Sequence, residues 1–128
     1  MKVNDPAIAA ELTAQFRAYE AALMANDLDA LNNFFWPSPL TLRFGDAGAA
    51  YGIEQIAAFR AARVGGSPRR TLRHTRITSF GADYGVTTTE FKRENEPRLG
   101  RQTQVWVKFP DFGWRIVSAH ISLIEERT

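Results

Sequence analysis

Two residues stand out for their chemistry and their setting: Tyr19 in the run "AQFRAYEAAL" and Arg43 in the run "LTLRFG". Strand side chains alternate faces, so Leu40, Leu42 and Phe44 share one side and Thr41 and Arg43 the other. That second side is either solvent, with Arg43 an ordinary edge-strand arginine, or a polar interior. In an interior, the planar guanidinium would hold a carboxylate or urea oxygen through two hydrogen bonds. Tyr19 falls on a helical stripe where a core helix normally carries Leu. It is either a packed phenol whose hydroxyl finds any acceptor, or a group placed for use.

The elements that must position them are legible. Asn4-Asp5-Pro6 is a helix start, with a capping side chain and then a Pro where no amide hydrogen is needed. Ile8, Leu12, Phe16, Tyr19 and Leu23 form an apolar stripe running to about Met24. Asp27 caps a second, shorter helix through Phe35, which Pro37 and Pro39 end. Residues 45–52 read as a loop or short irregular strand, and Ile53–Arg63 as a third helix. After Gly65-Gly66-Ser67-Pro68 come four strands, Arg69–Phe80, Asp83–Arg93, Arg98–Phe109 and Gly113–Ile124, separated by turn residues. Helices followed by an antiparallel meander give an α+β fold, with the helices on one face of the sheet.

The turns set a register. Ile77 and Val105 face Val86, Thr75 and Thr103 face Thr88, and Glu90 faces both Arg73 and Arg101; Phe109 faces Trp114, Val107 faces Ile116, Thr103 faces His120, and Arg101 faces Ser122. On this register Tyr84, Val86, Val105, Val107, Phe109, Trp114 and Ile116 form an apolar floor. Arg73, Glu90, Arg101, Thr103, His120 and Ser122 form a polar mouth above it, and these are the expected ligand-binding residues. Arg60 and Arg63, three apart on the third helix, both have the reach to join them; Arg63 is taken as the pocket residue, and a solvated face suits at least one of the two. The opposite face carries Trp106, Val117, Ala119 and Ile121. It is too apolar for water and is the expected homodimer contact.

Composition narrows the class. The chain has 128 residues, 45% hydrophobic and 23% charged, enough for one domain over residues 1–128 with a true core. There is no Cys, so neither a disulfide framework nor thiolate chemistry is available, and no convergent His and carboxylate cluster suggests a metal. No apolar signal core or membrane span is present, so a soluble cytoplasmic protein without membrane partners is expected. The net charge of +2 does not call for nucleic acid. Arginines at 60, 63, 69, 70, 73 and 76, with no acid between Glu54 and Asp83, make either a solvated basic edge or an anion site.

The runs "NDPAIAAELTAQFRAYEAAL", "FFWPSPLTLRFG", "FRAARVG", "TEFKR", "GRQTQVWV" and "GWRIVSAHISL" cover most of the chain in order. Together they resemble the AtzH-like proteins (DUF3225), a family that includes the oxalurate-catabolism protein HpxZ. The last strand is similar to that of SnoaL-like members of the nuclear transport factor 2-like superfamily. The resemblance implies a cystatin-like cone, with three helices on a strongly bent antiparallel sheet enclosing a pocket. It also implies cofactor-free metabolism of small ureides or carboxyureas, with Tyr19 and Arg43 in the active site. Three functions compete. They are hydrolysis or decarboxylation of a small anionic amide, binding of a small anion without catalysis, and a nucleic-acid or adaptor role. The last lacks aromatic interleaving and recognition motifs.

Overall fold

Asp5 and Pro6 open the first helix, α1 (Pro6–Ala25), in the computed structural model, which describes residues 1–126. The Asp5 carboxylate accepts from the Ala7 N–H at 3.1 Å, and Asn26 ends the helix in the left-handed region at φ 51. Asp27 caps α2 (Leu28–Asn33) by accepting from the Ala30 N–H at 3.2 Å. Strands β1 (Leu42–Gly45) and β2 (Gly48–Tyr51) form a hairpin, so the expected loop contains a strand. Gly52 then turns the chain into α3 (Ile53–Ala62) at φ 85. A Cβ there would stand 3.2 Å from the Pro39 backbone, so the turn takes glycine for its space as well as its angle.

Strands β3 (Arg70–Phe80), β4 (Tyr84–Arg93), β5 (Leu99–Phe109) and β6 (Gly113–Ile124) follow as an antiparallel meander. The six-stranded order is β2-β1-β6-β5-β4-β3, and β1 runs parallel to β6 with Arg43 opposite Ala119. The chain after α2 is tied to β6, because Trp36 donates to the Ile116 carbonyl at 3.0 Å and the Ile116 N–H to Phe34 at 2.7 Å. That tie brings "LTLRFG" alongside the last strand. No helix among the described residues is long and apolar enough to cross a membrane.

The helices cover one face of the sheet. There, Leu12 of α1, Leu31 of α2 and Ile56 of α3 pack with Phe35, Phe91, Trp106, Ile116 and Ile121. Gly85 and Gly100 lie on this face because it is full: a Cβ on Gly85 would stand 2.2 Å from Leu12, and one on Gly100 2.1 Å from Phe91.

The expected register holds through most of the meander, but the assignment of faces is reversed. Val86–Val105, Thr88–Thr103, Glu90–Arg101, Arg73–Glu90, Thr103–His120 and Arg101–Ser122 are paired as expected, whereas Ile77 pairs with Thr87, Arg76 rather than Thr75 with Thr88, Phe109 with Gly113 and Val107 with Arg115, each one residue from the expected partner. Arg73, Glu90, Arg101, Thr103, His120 and Ser122 nonetheless lie on the outer face, away from the helices, while Phe91, Gln102, Gln104 and Trp106 point inward. Two irregularities explain part of the error. Pairing shifts by one between Arg73 and Arg76, where His74 has φ 53, and again between Val105 and Trp106. The second shift lets Trp114 and Ile116 face inward together with Ala119 and Ile121. Trp106, Ala119 and Ile121 are therefore monomer core, and the expected dimer contact through them is corrected: a subunit contact has to use other surface.

Because Trp106 is 0% exposed, truncating it should behave as a core deletion. Trp106→Ala is expected to lower the unfolding free energy by about 3–5 kcal/mol in a urea titration. A change below ~1 kcal/mol would contradict this placement.

Candidate functional site

Arg43 points from β1 into the helix-covered face, so the polar side of "LTLRFG" is interior, and Leu40 is the exposed residue at 76%. Arg43 itself is 6% exposed. Its guanidinium lies over the Phe59 ring at 4.2 Å, and the Arg63 guanidinium lies 5.9 Å from that ring. Arg60 is 4% exposed and donates from Nη2 to the Tyr19 hydroxyl oxygen at 2.8 Å. The Phe35 ring lies 5.3 Å from the Arg60 guanidinium carbon. Tyr19 reaches this place because it falls on the buried stripe of α1 with Leu12, Phe16 and Leu23. Arg60 reaches it because it stands one helical turn beyond Ile56 on the buried side of α3.

The electrostatics are one-sided. Among the described residues, no carboxylate lies within 4.0 Å of Arg43 or Arg60. The nearby acids are taken: Asp46 pairs with Arg93 at 3.1 Å and Glu20 with Arg70 at 2.6 Å. Burial pulls the Arg43 guanidinium down to about 10, Tyr19 and Asp46 work against it, and the Arg60 and Arg63 cations push the same way as burial. It remains cationic at neutral pH. Arg63, half-buried, is lowered by burial and then by Arg93. Six buried side-chain polar atoms among the described residues lack a hydrogen-bond partner, and four are nitrogen donors on the inner side of the sheet. They are Nε of Arg43, Arg60 and Arg93 and Nε2 of Gln102. Such atoms are rare in folded proteins.

Access runs beside the hairpin. A cleft of about 370 Å³ is lined by Arg43, Phe59, Gln55 and the small residues Ala47, Gly48, Ala49, Ala50 and Ala58. A groove of about 480 Å³ on the outer face holds Glu90, Arg101 and Thr103 with His74 and Arg76. Thr88, Thr89 and Gln102 complete its lining, and Glu90 and Arg101 are bonded to neighbours outside it. Arg73 donates to Glu90 at 2.9 Å and also to Glu126, and Arg101 donates to Ser122 at 3.3 Å. His120 is exposed on that face with its ring 5.7 Å from Phe44.

Of the sequence-predicted residues, the inner chamber thus gathers Tyr19, Arg43 and, at its edge, Arg63. It does not contain Arg73, Glu90, Arg101, Thr103, His120 or Ser122, which share the outer face. Sequence reasoning gives Arg60 the reach to join the pocket but takes Arg63 instead, and it passes over Arg93 and Gln102. The spacing of Arg60 from Ile56 and the shared parity of Arg93 with Phe91 and of Gln102 with Trp106 were the available signals.

Helices layered on one side of a bent sheet, with polar groups converging beneath them, define the cystatin-like fold of the nuclear transport factor 2-like superfamily. The chain belongs to the AtzH-like family, whose model matches residues 1–127. A cystatin-like fold protein from Burkholderia xenovorans LB400 is 44% identical, with a TM-score of 0.95 and 99% of each chain covered. A protein of unknown function from the DUF3225 family of Pectobacterium atrosepticum SCRI1043 is 47% identical, with a TM-score of 0.92 and 96% of this chain and 95% of that chain covered. A nuclear transport factor 2-like superfamily protein from Salmonella enterica serovar Typhimurium LT2 is 27% identical at a TM-score of 0.75, with 95% of this chain and 94% of that chain covered. No curated protein matches the chain.

A buried cation without a counter-charge costs stability that an apolar side chain of similar length recovers. Arg43→Met is therefore expected to leave the ligand-free protein as stable or about 1–3 kcal/mol more stable in urea, while removing anion binding. A large loss of stability would mean that Arg43 is a structural residue.

Proposed function

We propose that this chain is a small cofactor-free enzyme of ureide catabolism, hydrolysing or decarboxylating a carboxylated urea of the oxalurate or cyanuric-acid-derived type. The observation that carries the reading is the pair of buried guanidinium groups, Arg43 and Arg60, each with an unpartnered Nε and no carboxylate in reach. A carboxylate matches that donor set in charge and in geometry.

The Tyr19 hydroxyl oxygen is occupied by Arg60, so its own proton is free to be donated. In hydrolysis, water adds to the amide carbon and the carbonyl oxygen takes up negative charge beside Arg43. The C–N bond then breaks, and Tyr19 protonates the departing nitrogen and recovers a proton from the added water. Tyr19 and Arg43 are the catalytic pair in this scheme, with Arg60 and Arg63 holding the anion.

A second reading, binding of a small anion without turnover, is favoured by one specific feature. Both histidines lie among outer-face residues, and Asp46 and Glu20 are tied to arginines, so among the described residues no free general base adjoins Tyr19.

Turnover of a panel of carboxylated ureas and ureides separates the two. With a verified substrate, Tyr19→Phe should lower the rate by about 10²–10⁴ with little change in the urea midpoint. Arg43→Ala should weaken binding or rate by roughly tenfold to a hundredfold, the loss of a charged hydrogen bond worth about 1.5–3 kcal/mol. A Tyr19→Phe variant with an unchanged rate removes the catalytic reading and leaves the binding one.

A further inference from the structure

The covered face of the sheet that holds Arg43 also carries a buried amide that the scheme above does not use. Gln102 is 4% exposed, and its Nε2 is buried without an acceptor. Its Oε1 accepts from Arg70 Nη2 at 3.2 Å. A guanidinium offers no acceptor, so this bond fixes which end of the amide is the carbonyl. Arg70 is itself held by Glu20, Nε to Oε2 at 3.0 Å and Nη2 to Oε1 at 2.6 Å, and lies over the Phe91 ring at 4.5 Å. Glu20 follows Tyr19 on α1. The chain Glu20–Arg70–Gln102 therefore leaves the two amide N–H groups turned away from Arg70.

Gln104, two residues further on the same face, is set the same way by a different route. Trp106 Nε1 donates to Thr87 Oγ1 at 3.0 Å. An indole nitrogen only donates, so the single Thr87 proton is left for Gln104 Oε1, at 3.1 Å. In both glutamines the carbonyl end faces a protein donor, and the NH₂ end remains to donate.

The sheet register puts these donors opposite Arg43. Gln104 pairs with Ala119, and Ala119 pairs with Arg43. The two residues stand two strands apart, about 10 Å, with Ala119 on the strand between them. Gln102 pairs with Ile121, which continues the parallel ladder one step past Phe44–His120 and so lies beside Gly45. Arg43 leans toward that row, for a Cβ on Gly45 would stand 2.6 Å from its Nη1. Arg43 and the two oriented amides thus rise from the same covered face of the sheet, with Ala119 and Ile121 on the strand between them.

We propose that Gln102 and Gln104 are specificity-determining residues that read an acceptor edge, carbonyl or carboxylate oxygens, of the same anion whose carboxylate Arg43 and Arg60 hold. The proposal rests on the anion reading of the chamber and adds a selection rule to it. A ligand with a carbonyl next to its carboxylate meets donors at both ends, whereas a plain carboxylate leaves the glutamine donors unmet.

Calorimetric titration with oxamate, which carries a carbonyl beside its carboxylate, and with acetate, which does not, tests it. The wild-type chain should prefer oxamate by about tenfold. Gln102→Leu should abolish that preference while leaving acetate affinity within about twofold of wild type. Gln102→Glu should abolish binding of both anions, because it puts a negative charge where a donor stood. Thr87→Val, which frees the Gln104 amide to turn, should reduce the preference without removing it. Circular dichroism checks folding, and Gln102→Met carries the same test if the Leu variant does not fold. Arg43-dependent binding with equal affinity for the two anions, or a preference that survives in Gln102→Leu or Gln102→Met, overturns the proposal and leaves the anion reading standing. Wild-type protein that binds neither anion overturns both.

Discussion

The interior is organised around holding Arg43 and Arg60 out of water with no carboxylate among the described residues beside either. Moving a cation from water into a protein interior costs several kcal/mol even after relaxation. Proteins ordinarily recover that by pairing the charge, as Arg70 is paired with Glu20 here. Arg43 and Arg60 instead receive neutral, polarisable neighbours: the Phe59 ring for Arg43, and Phe35 and the Tyr19 hydroxyl for Arg60. These contacts return part of the cost and leave the charge uncancelled. An anion entering the chamber meets cations that do not first have to break an ion pair.

Much of the surrounding architecture follows from that arrangement. Gly45 has no side chain because the Arg43 guanidinium passes over it. The parallel pairing of β1 with β6 sets Arg43 opposite Ala119, whose methyl leaves the headgroup room. Asp46, at the hairpin turn just after Arg43, is the nearest acid, and its pairing with Arg93 keeps it from collapsing onto Arg43. Burial acts to raise the Asp46 carboxyl, but Arg93, with Arg43 behind it, holds it below the usual carboxylate range. Its charge thus persists at neutral pH, and the hairpin stays fastened to β4.

The fold was readable because it rests on local signals. Asp5-Pro6, Asp27 and the turn residues mark element ends, and the Leu12–Phe16–Tyr19–Leu23 stripe marks the buried side of α1. The stripe also put Tyr19 on the buried side, whereas strand alternation left the side of Arg43 open and the family resemblance placed it in the site. What could not be read was which side of the meander the helices cover. Side-chain parity survives only until a bulge, and neither the His74 irregularity nor the one in β6 has a glycine or proline to announce it. Both faces mix apolar and polar residues, so polarity pointed the wrong way: Thr87, Thr89, Gln102 and Gln104 are buried, while Tyr84 is exposed. Glycine was the discriminating residue. Gly85 and Gly100 alternate with the large side chains of the covered face, where every further Cβ would collide.

The two faces of this sheet carry similar chemistry, arginines, threonines and carboxylates, and differ in how that chemistry is spent. On the outer face Arg73, Glu90, Lys92 and Glu126 form a closed network in which each charge has a partner, and water can serve whatever remains. Exposed pairs of that kind contribute little to stability and demand nothing of a ligand. On the inner face Arg70 and Thr87 donate to the two amide oxygens, and four of the six unpartnered buried polar atoms among the described residues are nitrogen donors. An imbalance of donors over acceptors, held out of water, is what turns a polar interior into a site with a preference. Residue type brought both faces under consideration, and hydrogen-bond accounting separates them.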